Sequence, residues 1–435
     1  MAQQETFVIH GNARLQGTIY VDGNKNAALP LIAASILSTE PVLLKRLPQI
    51  RDVKNMCDIL AHMGADISIP EPDSLRIDPA NLDPTRIQQT AWEAIRAAIL
   101  CVGPILSRFG KITFPTPGGD VIGRRRLDTH FLAFQNMGAS IDTKDGNFIV
   151  RAPAQGLRPA HIFLNEASVT ATENVLMTAA ATPGETLIEN AACEPHVQDL
   201  IDFLCQCGSL VEGRGSNRLL VSGAQRLCAP REFECGADFT QTGAFIGIAL
   251  CTHSELRICQ AGTKYLKPIQ IGLEKFGARF DIDGDDVIVP ANQQLTIQED
   301  IGSSVAKLDS QPWPGFPSDM TSTAVVLATQ SEGAILIHEK LYESRLFFTD
   351  KLVAMGARIT LCDPHRAIVI GPTKLYGTSL TSPDIRAGIA LLTAALCADG
   401  ETRINNANQI DRGFFEIEKK LSSVGAHIER IASAD

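Results

Sequence analysis

The hexapeptide HMGADI at residues 62–67 joins a helix-like segment to a β-rich stretch through a Gly-Ala pair, and five similar hexapeptides follow it. They are NMGASI (136–141), QCGSLV (206–211), KFGARF (275–280), AMGARI (354–359) and SVGAHI (423–428). Their glycines, from Gly64 to Gly425, are spaced by 74, 70, 69, 79 and 69 residues. This regular spacing indicates that a single α/β unit is repeated six times along the chain.

Each repeat has the same order of sequence patterns. In the first, an alanine-rich apolar segment (24–37) is followed by a short β-like stretch (41–48) and then by apolar residues at helical spacing (50–67). The first segment is apolar on all sides, which predicts a buried helix, whereas the third predicts a helix with one solvent-exposed face. The glycine at its end suits a left-handed residue, and DGN at 145–147 and DGDD at 283–286 are typical of hairpin turns.

The size and composition of the chain predict a globular protein of two domains. Its 435 residues exceed what one core usually supports, so we assign three repeats to each domain. Hydrophobic residues make up 45% and charged residues 20%, as is usual for soluble globular proteins. The net charge of −10 argues against a general affinity for nucleic acid or for anionic membranes.

The eleven cysteines predict neither a disulfide framework nor a metal centre. Their number is odd, no CxxC pair occurs, and several lie inside apolar helical segments, which favours a reducing compartment. Cys205 and Cys207 are close in sequence, but no second Cys or His pair stands near them at the spacing of a zinc site.

The start of the sequence and its apolar stretches predict a cytoplasmic protein. MAQQETFVIH at residues 1–10 has no basic start followed by an apolar core, as a secretory signal would. The longest apolar run, at about 387–398, is too short to cross a bilayer.

Polar and charged residues are concentrated where the predicted helices begin. The start of a helix exposes unpaired N–H groups and carries partial positive charge, so it binds anions and is weakened by a basic residue. Each residue alone is explained as a solvated charge, but the repeated placement of cations indicates a site for a highly charged anion. The first-helix entries hold Lys25, Asn26, Arg96, residues 168–172, Asp238, Asp319, Asp384 and Arg386, and the second-helix entries hold residues 124–126, Lys264, Arg345 and Arg412.

The stretch PGGDVIGRRRLDTH at residues 117–130 departs most from the repeat pattern. It is rich in glycine, contains three successive arginines and carries Asp120 at its tip. Its glycines predict a loop that closes over a bound ligand, although such a loop alone is also typical of a mobile surface turn.

Together with GNKNAALP (23–30), FPSDM (316–320), DIRAG (384–388) and IDRG (410–413), this loop resembles the enolpyruvyl transferase family. The resemblance extends from about residue 7 to about residue 430 and is greatest to the branch whose acceptor is UDP-N-acetylglucosamine. The branch that uses shikimate 3-phosphate shares the repeat but lacks GNKNAALP. The resemblance therefore implies transfer of the enolpyruvyl group of phosphoenolpyruvate to the 3-hydroxyl of the sugar nucleotide with release of phosphate, the first committed step of peptidoglycan synthesis.

The resemblance also implies a fold, a two-domain inside-out α/β barrel. It consists of six βαββαβ-type repeats with threefold pseudosymmetry in each domain, with helices inside and sheets outside. One domain is expected to combine residues 1–24 with 237–435, and the inserted domain is expected to span 25–236 and to carry the 117–130 active-site loop. Helix N-termini are expected to face the cleft between the domains.

The resemblance assigns site residues position by position. Those implied for phosphoenolpyruvate binding are Lys25, Asn26, Arg125, Arg345, Asp384, Arg386 and Arg412. Those implied for UDP-N-acetylglucosamine binding are Asn26, Arg96, Arg125, Arg126, Leu127, Asp128, Thr129, Ser168, Val169, Thr170, Asp319, Leu341 and Tyr342. No cofactor and no metal are expected, since the lysine and the arginines neutralise the substrate anions.

The implied reaction needs one acid and one base. C3 of phosphoenolpyruvate gains a proton, while the sugar hydroxyl attacks C2 and loses its own proton. Asp120 is the candidate acid and Asp319 the candidate base, and Lys25 and Arg412 are the other candidate catalytic residues. Arginine forks suit the carboxylate and phosphate of phosphoenolpyruvate, and positioned charges of this kind lower the barrier.

Three positions depart from the family pattern. Many members have a cysteine where this chain has Asp120, and fosfomycin inactivates those members by alkylating the thiol, so we expect this chain to be insensitive to the drug. Glu166 stands where a lysine is common, and Thr170 where a glycine is common, both beside the implied diphosphate contacts.

Alternative functions from two classes remain open. The first is an enolpyruvyl transferase with another acceptor, either a nucleotide such as UMP or shikimate 3-phosphate. The second is a non-catalytic paralogue built on the same repeats. The sequence predicts no oligomeric state.

Overall fold

The structure is a computed structural model that describes residues 5–119, 126–302 and 304–432. The strands of these residues are β1 (Glu5–His10), β2 (Gln16–Tyr20), β3 (Val42–Lys45), β4 (Asp66–Ser68), β5 (Leu75–Asp78), β6 (Lys111–Pro115), β7 (Ser140–Lys144), β8 (Asn147–Arg151), β9 (His161–Phe163), β10 (Gly184–Glu189), β11 (Leu210–Glu212), β12 (Arg218–Gly223), β13 (Glu232–Glu234), β14 (Glu255–Cys259), β15 (Asp281–Asp283), β16 (Asp286–Val289), β17 (Ala306–Asp309), β18 (Gly333–His338), β19 (Arg358–Asp363), β20 (Arg366–Gly371), β21 (Ser379–Thr381), β22 (Glu401–Asn405) and β23 (His427–Ala432).

The α-helices of the same residues are α1 (Lys25–Ala34), α2 (Arg51–His62), α3 (Gln89–Glu93), α4 (Val102–Phe109), α5 (Asp128–Asn136), α6 (Val169–Ala180), α7 (Pro195–Gln206), α8 (Phe239–Cys251), α9 (Lys267–Glu274), α10 (Thr321–Gln330), α11 (Thr349–Ala354), α12 (Ile385–Cys397) and α13 (Ile417–Ser422). Short 3₁₀ helices join several of them. They are Ser35–Leu37, Pro84–Arg86, Arg96–Cys101, Thr263–Tyr265, Ser318–Met320 and Ala407–Arg412.

The chain divides into two compact units. Unit 1 combines residues 5–22 with 237–432, and unit 2 combines residues 23–119 with 126–236. The sequence-based boundaries at 24/25 and 236/237 remain a prediction about domains, because compactness alone does not establish independent folding.

The sheets repeat a single pairing pattern. In five of those described, a parallel pair is followed by two antiparallel pairings, as in β9, β10, β12 and β11. The other four are β13-β3-β5-β4 in unit 2 and β15-β16-β14-β2, β17-β18-β20-β19 and β21-β22-β1-β23 in unit 1. In four of the five the last two strands form a hairpin, and in the fifth β1 stands in the place of the second hairpin strand. The element order within a repeat is therefore βαβαββ, which corrects the βαββαβ order that the resemblance implied: the hairpin follows the second helix.

The remaining sheet, β6-β8-β7, is shorter because it has no parallel first strand among the described residues. The 3₁₀ helix Arg96–Cys101 stands at the start of this repeat and leads directly into α4. Arg96 therefore lies at the beginning of a helical segment, as the sequence predicted.

At each of the two points where the chain passes from one unit to the other, the strand before the next helix pairs within the unit that the chain is leaving. β2 precedes α1 of unit 2 but pairs in parallel with β14 of unit 1. Conversely, β13 precedes α8 of unit 1 but pairs in parallel with β3 of unit 2. In each of these two sheets, the parallel first strand thus comes from a part of the chain that is remote in sequence.

The first helix of each repeat forms the core. In unit 1, α8, α10 and α12 pack against one another, and every residue of α8 is buried. Their C-terminal residues Cys251, Gln330 and Cys397 line one cavity of about 740 Å³, so these ends converge. The prediction of buried first helices is confirmed, and the strands around them alternate buried and exposed residues, as in β20.

The six glycines of the repeat have the left-handed conformation that was predicted. Their φ angles are 99° (Gly64), 99° (Gly138), 110° (Gly208), 74° (Gly277), 105° (Gly356) and 107° (Gly425). In the first repeat, the N–H of Ala65 returns to the carbonyl of Leu60 at 3.0 Å, which closes the helix end. A residue with a Cβ is strained in this conformation, which explains the regular occurrence of glycine.

A buried polar contact joins three helical segments of unit 2. The side-chain amide of Asn174, in α6, donates to the carbonyl of Ile99 at 2.9 Å and to Nδ1 of His130 at 3.0 Å. Its oxygen accepts from the N–H of Gly103 at 2.9 Å. The Nε2–H of His130 then donates to the hydroxyl of Thr170 at 3.2 Å, so the imidazole is neutral. Burial, together with the charge of Arg96, lowers the pKa of His130 to about 3.

Two substitutions test the role of the repeat glycines. Ala at Gly208 is expected to cost about 1–3 kcal/mol of unfolding free energy from backbone strain alone, since nothing lies within 4 Å of the new Cβ. Ala at Gly64 should cost more, because its Cβ would lie 2.8 Å from the carbonyl oxygen of Asn81. Urea unfolding of the full chain measures both. Equal losses would contradict the steric part of this explanation.

The neutral His130 predicts a specific acid sensitivity. The unfolded chain takes up a proton on this imidazole below pH ~6.5, whereas the folded chain does so only near a pKa of about 3. Stability is therefore full above that range and is lost as the pH falls. In His130→Gln, the slope of unfolding free energy between pH 5 and 6 should decrease by up to ~1.4 kcal/mol per pH unit, measured by urea titration. Above pH ~8 the two slopes should agree; an unchanged slope at pH 5–6 would contradict a buried neutral His130.

Candidate active site

Asp319 lies between two arginines in unit 1. Its Oδ1 is 3.1 Å from Nη2 of Arg345, and its Oδ2 is 2.7 Å from Nη2 of Arg386. The side chain of Asp319 is 27% exposed, whereas those of Arg345 and Arg386 are 6% and 12% exposed. The carboxylate is thus the accessible part of a largely buried ion cluster.

Arg386 is positioned by the start of α12. Asp384 caps this helix, because its Oδ1 accepts from the N–H groups of Arg386 at 2.8 Å and Ala387 at 2.9 Å. The cap fixes the backbone from which the Arg386 side chain extends toward Asp319.

Arg345 belongs to the loop between β18 and α11, which also contains Leu341 and Tyr342. Its guanidinium lies 5.0 Å from the centre of the Tyr342 ring. Burial lowers the pKa of Arg345, but the negative charges of Asp319 and Glu339 outweigh it and raise that pKa above its usual value. Its Nε is buried without a hydrogen-bond partner among the described residues.

Arg412 ends the 3₁₀ helix Ala407–Arg412, and its Nη1 donates to the side chain of Gln409 at 3.1 Å. The preceding Asp411 accepts two hydrogen bonds of 2.8 Å from the guanidinium of Arg430. Arg430 also pairs with Glu418 at 2.9 Å. A cluster of charges therefore fixes the backbone beside Arg412.

Lys25 begins α1 in unit 2, and Asn24 caps that helix by accepting from the N–H of Asn26 at 2.8 Å. The Nζ of Lys25 is 2.6 Å from Oδ2 of Asp52, which is 2% exposed in the first turn of α2. The lysine is therefore held in place by a buried carboxylate.

The end of the 117–130 loop, residues 126–130, is held by contacts within unit 2. Nη2 of Arg96 donates to the carbonyl of Arg126 at 3.2 Å. Arg126 and Asp128 form an exposed ion pair, which raises the pKa of Arg126. The hydroxyl of Thr129 donates to Oδ1 of Asn165 at 2.7 Å. These contacts join the start of α5 to the segment that precedes α6.

The start of α6 carries the remaining nucleotide-site residues. Ser168 caps the helix, Val169 is its first residue, and the hydroxyl of Thr170 bonds to His130. Glu166 is exposed, and its charge is a minor contribution to the raised pKa of Arg126. The two unusual residues thus have different surroundings: Thr170 is hydrogen-bonded to the buried His130, whereas Glu166 is exposed.

The predicted residues form one group in each unit. In unit 1, Asp319 contacts both Arg345 and Arg386, and Leu341, Tyr342, Asp384 and Arg412 lie on adjoining elements. In unit 2, Arg96 contacts Arg126, while Leu127, Asp128 and Thr129 adjoin Ser168, Val169 and Thr170, and Lys25 and Asn26 stand at the start of α1. The predictions for Asp120 and Arg125 lie outside the described residues.

Several residues of these groups were missed in the sequence. They are Asp52, His130, Asn174, Glu173 and Glu339. Glu173 is fully buried, and burial together with the charge of Glu194 raises its pKa well above the usual value. An acidic residue inside a helix predicted to be buried, or directly after a strand such as β18, is the signal that could have found Glu173 and Glu339.

Neither a metal centre nor a membrane-spanning helix is found in the part of the chain that the structure describes. No three His, Cys, Asp or Glu side chains of residues 5–119, 126–302 and 304–432 are grouped to hold a metal ion. Within the same ranges, no helix combines the length and apolar character needed to cross a bilayer.

Comparison with known proteins identifies relatives over nearly the whole chain. The family model described as EPSP synthase (3-phosphoshikimate 1-carboxyvinyltransferase) matches residues 9–421. A protein of Bradyrhizobium diazoefficiens named UDP-N-acetylglucosamine 1-carboxyvinyltransferase is 48% identical over 425 residues, which is 98% of each chain. A protein of Treponema denticola with the same name is 46% identical over 97% of this chain and 98% of its own length.

Solved structures share the fold. The enolpyruvyl transferase NikO from Streptomyces tendae superimposes with a TM-score of 0.88 at 23% identity, covering 99% of this chain and 100% of its own. EPSP synthase from Acinetobacter baumannii gives a TM-score of 0.73 at 16% identity, covering 98% and 100%. The predicted fold class is confirmed, with separate sheets that do not close into a β-barrel. From the family match and the near full-length relatives, the chain belongs to the EPSP synthase family and is a transferase of enolpyruvyl (1-carboxyvinyl) groups.

Proposed function

We propose that this enzyme transfers the enolpyruvyl group of phosphoenolpyruvate to the 3-hydroxyl of UDP-N-acetylglucosamine and releases phosphate. This reaction is the first committed step of peptidoglycan synthesis. The observation that carries the proposal is the placement of the Asp319 carboxylate against Arg345 and Arg386, because it joins a base to groups that bind an anionic substrate. The names of relatives 46–48% identical support the choice of acceptor.

Asp319 acts as the base for the sugar hydroxyl. Its two arginine partners favour the ionised carboxylate, which is the form that accepts a proton. When phosphoenolpyruvate binds, its carboxylate and phosphate offer Arg345 and Arg386 new anions of suitable shape. The arginines then shift part of their hydrogen bonding to the substrate, and an oxygen of Asp319 becomes available to the hydroxyl.

Lys25 and Arg412 complete the neutralisation of phosphoenolpyruvate, together with Arg125. Lys25 is already oriented by Asp52, and the backbone at Arg412 is fixed by the contacts of Asp411 with Arg430. Side chains held before the substrate arrives do not have to be ordered during the reaction, so more of their interaction energy stabilises charge in the transition state. Asp384 contributes indirectly, through the helix cap that positions Arg386.

The nucleotide is bound by the group in unit 2. Arg96, Arg126, Leu127, Asp128 and Thr129 line the uridine side, and Ser168, Val169 and Thr170 the diphosphate side. Asn26 contacts both substrates, and Leu341 and Tyr342 add contacts from unit 1. The mutual hydrogen bonds of the unit 2 group support this assignment, since they give residues from distant segments a fixed relative position.

Asp120 supplies the proton in the addition step. Its carboxyl gives a proton to C3 of phosphoenolpyruvate, the sugar oxygen bonds to C2, and Asp319 takes the hydroxyl proton. The ionised Asp120 then takes a proton back from C3 as the C2–O bond to phosphate breaks, which restores the double bond, and the proton held by Asp319 leaves with the phosphate. The arginines at 124–126 favour the ionised form of Asp120. The negative charge of bound phosphoenolpyruvate opposes this effect and favours the protonated form.

The cell compartment and the partners follow from the substrates. Both are intracellular metabolites, so the enzyme works in the cytoplasm. Its partners in the reaction are these two small molecules, with no role for nucleic acid, membrane, metal or cofactor.

The choice of acceptor is tested by phosphate release. Phosphoenolpyruvate with UDP-N-acetylglucosamine is expected to release phosphate at least about 100-fold faster than with UMP or with shikimate 3-phosphate. A faster reaction with UMP or shikimate 3-phosphate would replace the proposed acceptor. No release with any of the three would favour the non-catalytic paralogue.

The role of Asp120 is tested with two variants and fosfomycin. Asp120→Asn should lower turnover by about 10²–10⁴-fold without loss of sugar-nucleotide binding, because it removes the proton donor. The unchanged enzyme should resist fosfomycin, since a carboxylate attacks the epoxide poorly. Asp120→Cys is the matched control, and it should remain active and become inactivated with time. Near-normal turnover of Asp120→Asn, or time-dependent inactivation of the unchanged enzyme at low drug concentration, would contradict the assignment.

A further inference from the structure

Glu339 is a buried acidic residue to which the reaction described above gives no role. It directly follows β18 and is 0% exposed. Its Oε2 accepts hydrogen bonds from the hydroxyls of Ser318 and Thr321, both at 2.8 Å, and its Oε1 accepts from the N–H of Leu341 at 2.9 Å. Burying a carboxylate is costly, and these three donors offset the cost by hydrogen-bonding to it.

The two hydroxyl donors flank the proposed base. Ser318 begins the 3₁₀ helix Ser318–Met320, Thr321 begins α10, and Asp319 lies between them. Within the described residues, neither helix start has a side-chain cap of its own. The Glu339 carboxylate therefore anchors the turn that holds Asp319 from both sides.

The same carboxylate also reaches the loop that carries Arg345. Its third donor, the N–H of Leu341, opens the short segment that ends at Arg345, and the charge of Glu339 attracts the Arg345 guanidinium. The carbonyl of Glu339 contacts Nδ1 of His365 at 2.7 Å, which holds its main chain against the neighbouring hairpin. One buried residue thus connects the proposed base to the arginine 3.1 Å from it.

We propose that Glu339 is a positioning residue for the reaction, which fixes Asp319 relative to Arg345. The proposal rests on the proposed role of Asp319 as the base. A purely structural residue would affect stability alone, whereas a positioning residue also lowers turnover in enzyme that remains folded, because a base displaced by a fraction of an ångström reacts more slowly.

Two independent variants test this role by phosphate release, at a temperature where both are folded. Glu339→Gln keeps the size of the side chain but not its charge, and Ser318→Ala/Thr321→Ala removes both hydroxyl donors and keeps Glu339. Each should lower kcat by about 10-fold to 100-fold while KM for both substrates stays within about threefold of the unchanged enzyme.

The matched control removes two buried hydroxyls of the same unit elsewhere. Thr252 and Ser254 bond to each other at 2.7 Å after the end of α8. Thr252→Ala/Ser254→Ala should therefore lose stability but keep kcat. If Ser318→Ala/Thr321→Ala loses no more kcat than this control, or if Glu339→Gln keeps kcat within about twofold, the positioning role is overturned.

Asp319→Asn separates this proposal from the proposed function. It should abolish turnover in enzyme that remains folded. Full turnover of Asp319→Asn would overturn the base assignment and the positioning role with it. An inactive Asp319→Asn beside an unimpaired Glu339→Gln would overturn the positioning role alone and leave the base assignment intact.

Discussion

The burial of helices that are apolar on every side is the constraint on which the rest of the structure depends. A helix such as α8 has no face suited to water, so it is stable only where other elements surround it. In unit 1, three such helices pack together, and sheets with one exposed face cover them. Polar residues are then tolerated mainly at the helix ends. At one end Asp319, before α10, meets Arg386 at the start of α12, and at the other end the three C-termini line one cavity.

The repeats use the position at the helix start in different ways. Asp238 and Asp384 cap α8 and α12 by accepting hydrogen bonds from backbone N–H groups. Asp319 stands at the related place before α10, but it lies within the 3₁₀ helix Ser318–Met320 and does not cap α10, and its carboxylate pairs with arginines instead. The 3₁₀ turn therefore leaves the carboxylate of Asp319 available for chemistry, whereas the carboxylates of Asp238 and Asp384 are used as helix caps.

Local features were predicted from the sequence because they depend on a few adjacent residues. The left-handed glycines, the hairpin turns and the apolar helices are of this kind. The grouping of Asp319, Arg345 and Arg386 was predicted through family resemblance. The contacts of Lys25 with Asp52 and of Thr170 with His130 were not, because they join helices whose relative placement no local pattern encodes. The same reason explains why the pairing of β2 with β14 and of β13 with β3 was not predicted strand by strand.

The pairing of β1 has a consequence for synthesis on the ribosome. β1 lies between β22 and β23, so its partners are residues 401–432. Translation proceeds at roughly 5–20 residues per second, and the first strand therefore waits on the order of tens of seconds for them. Unit 2 is complete at residue 236, well before that time. During synthesis, unit 2 is therefore complete while unit 1 still lacks the strands that pair with β1. In this interval the unpaired edges of β1 are exposed to aggregation and to chaperones.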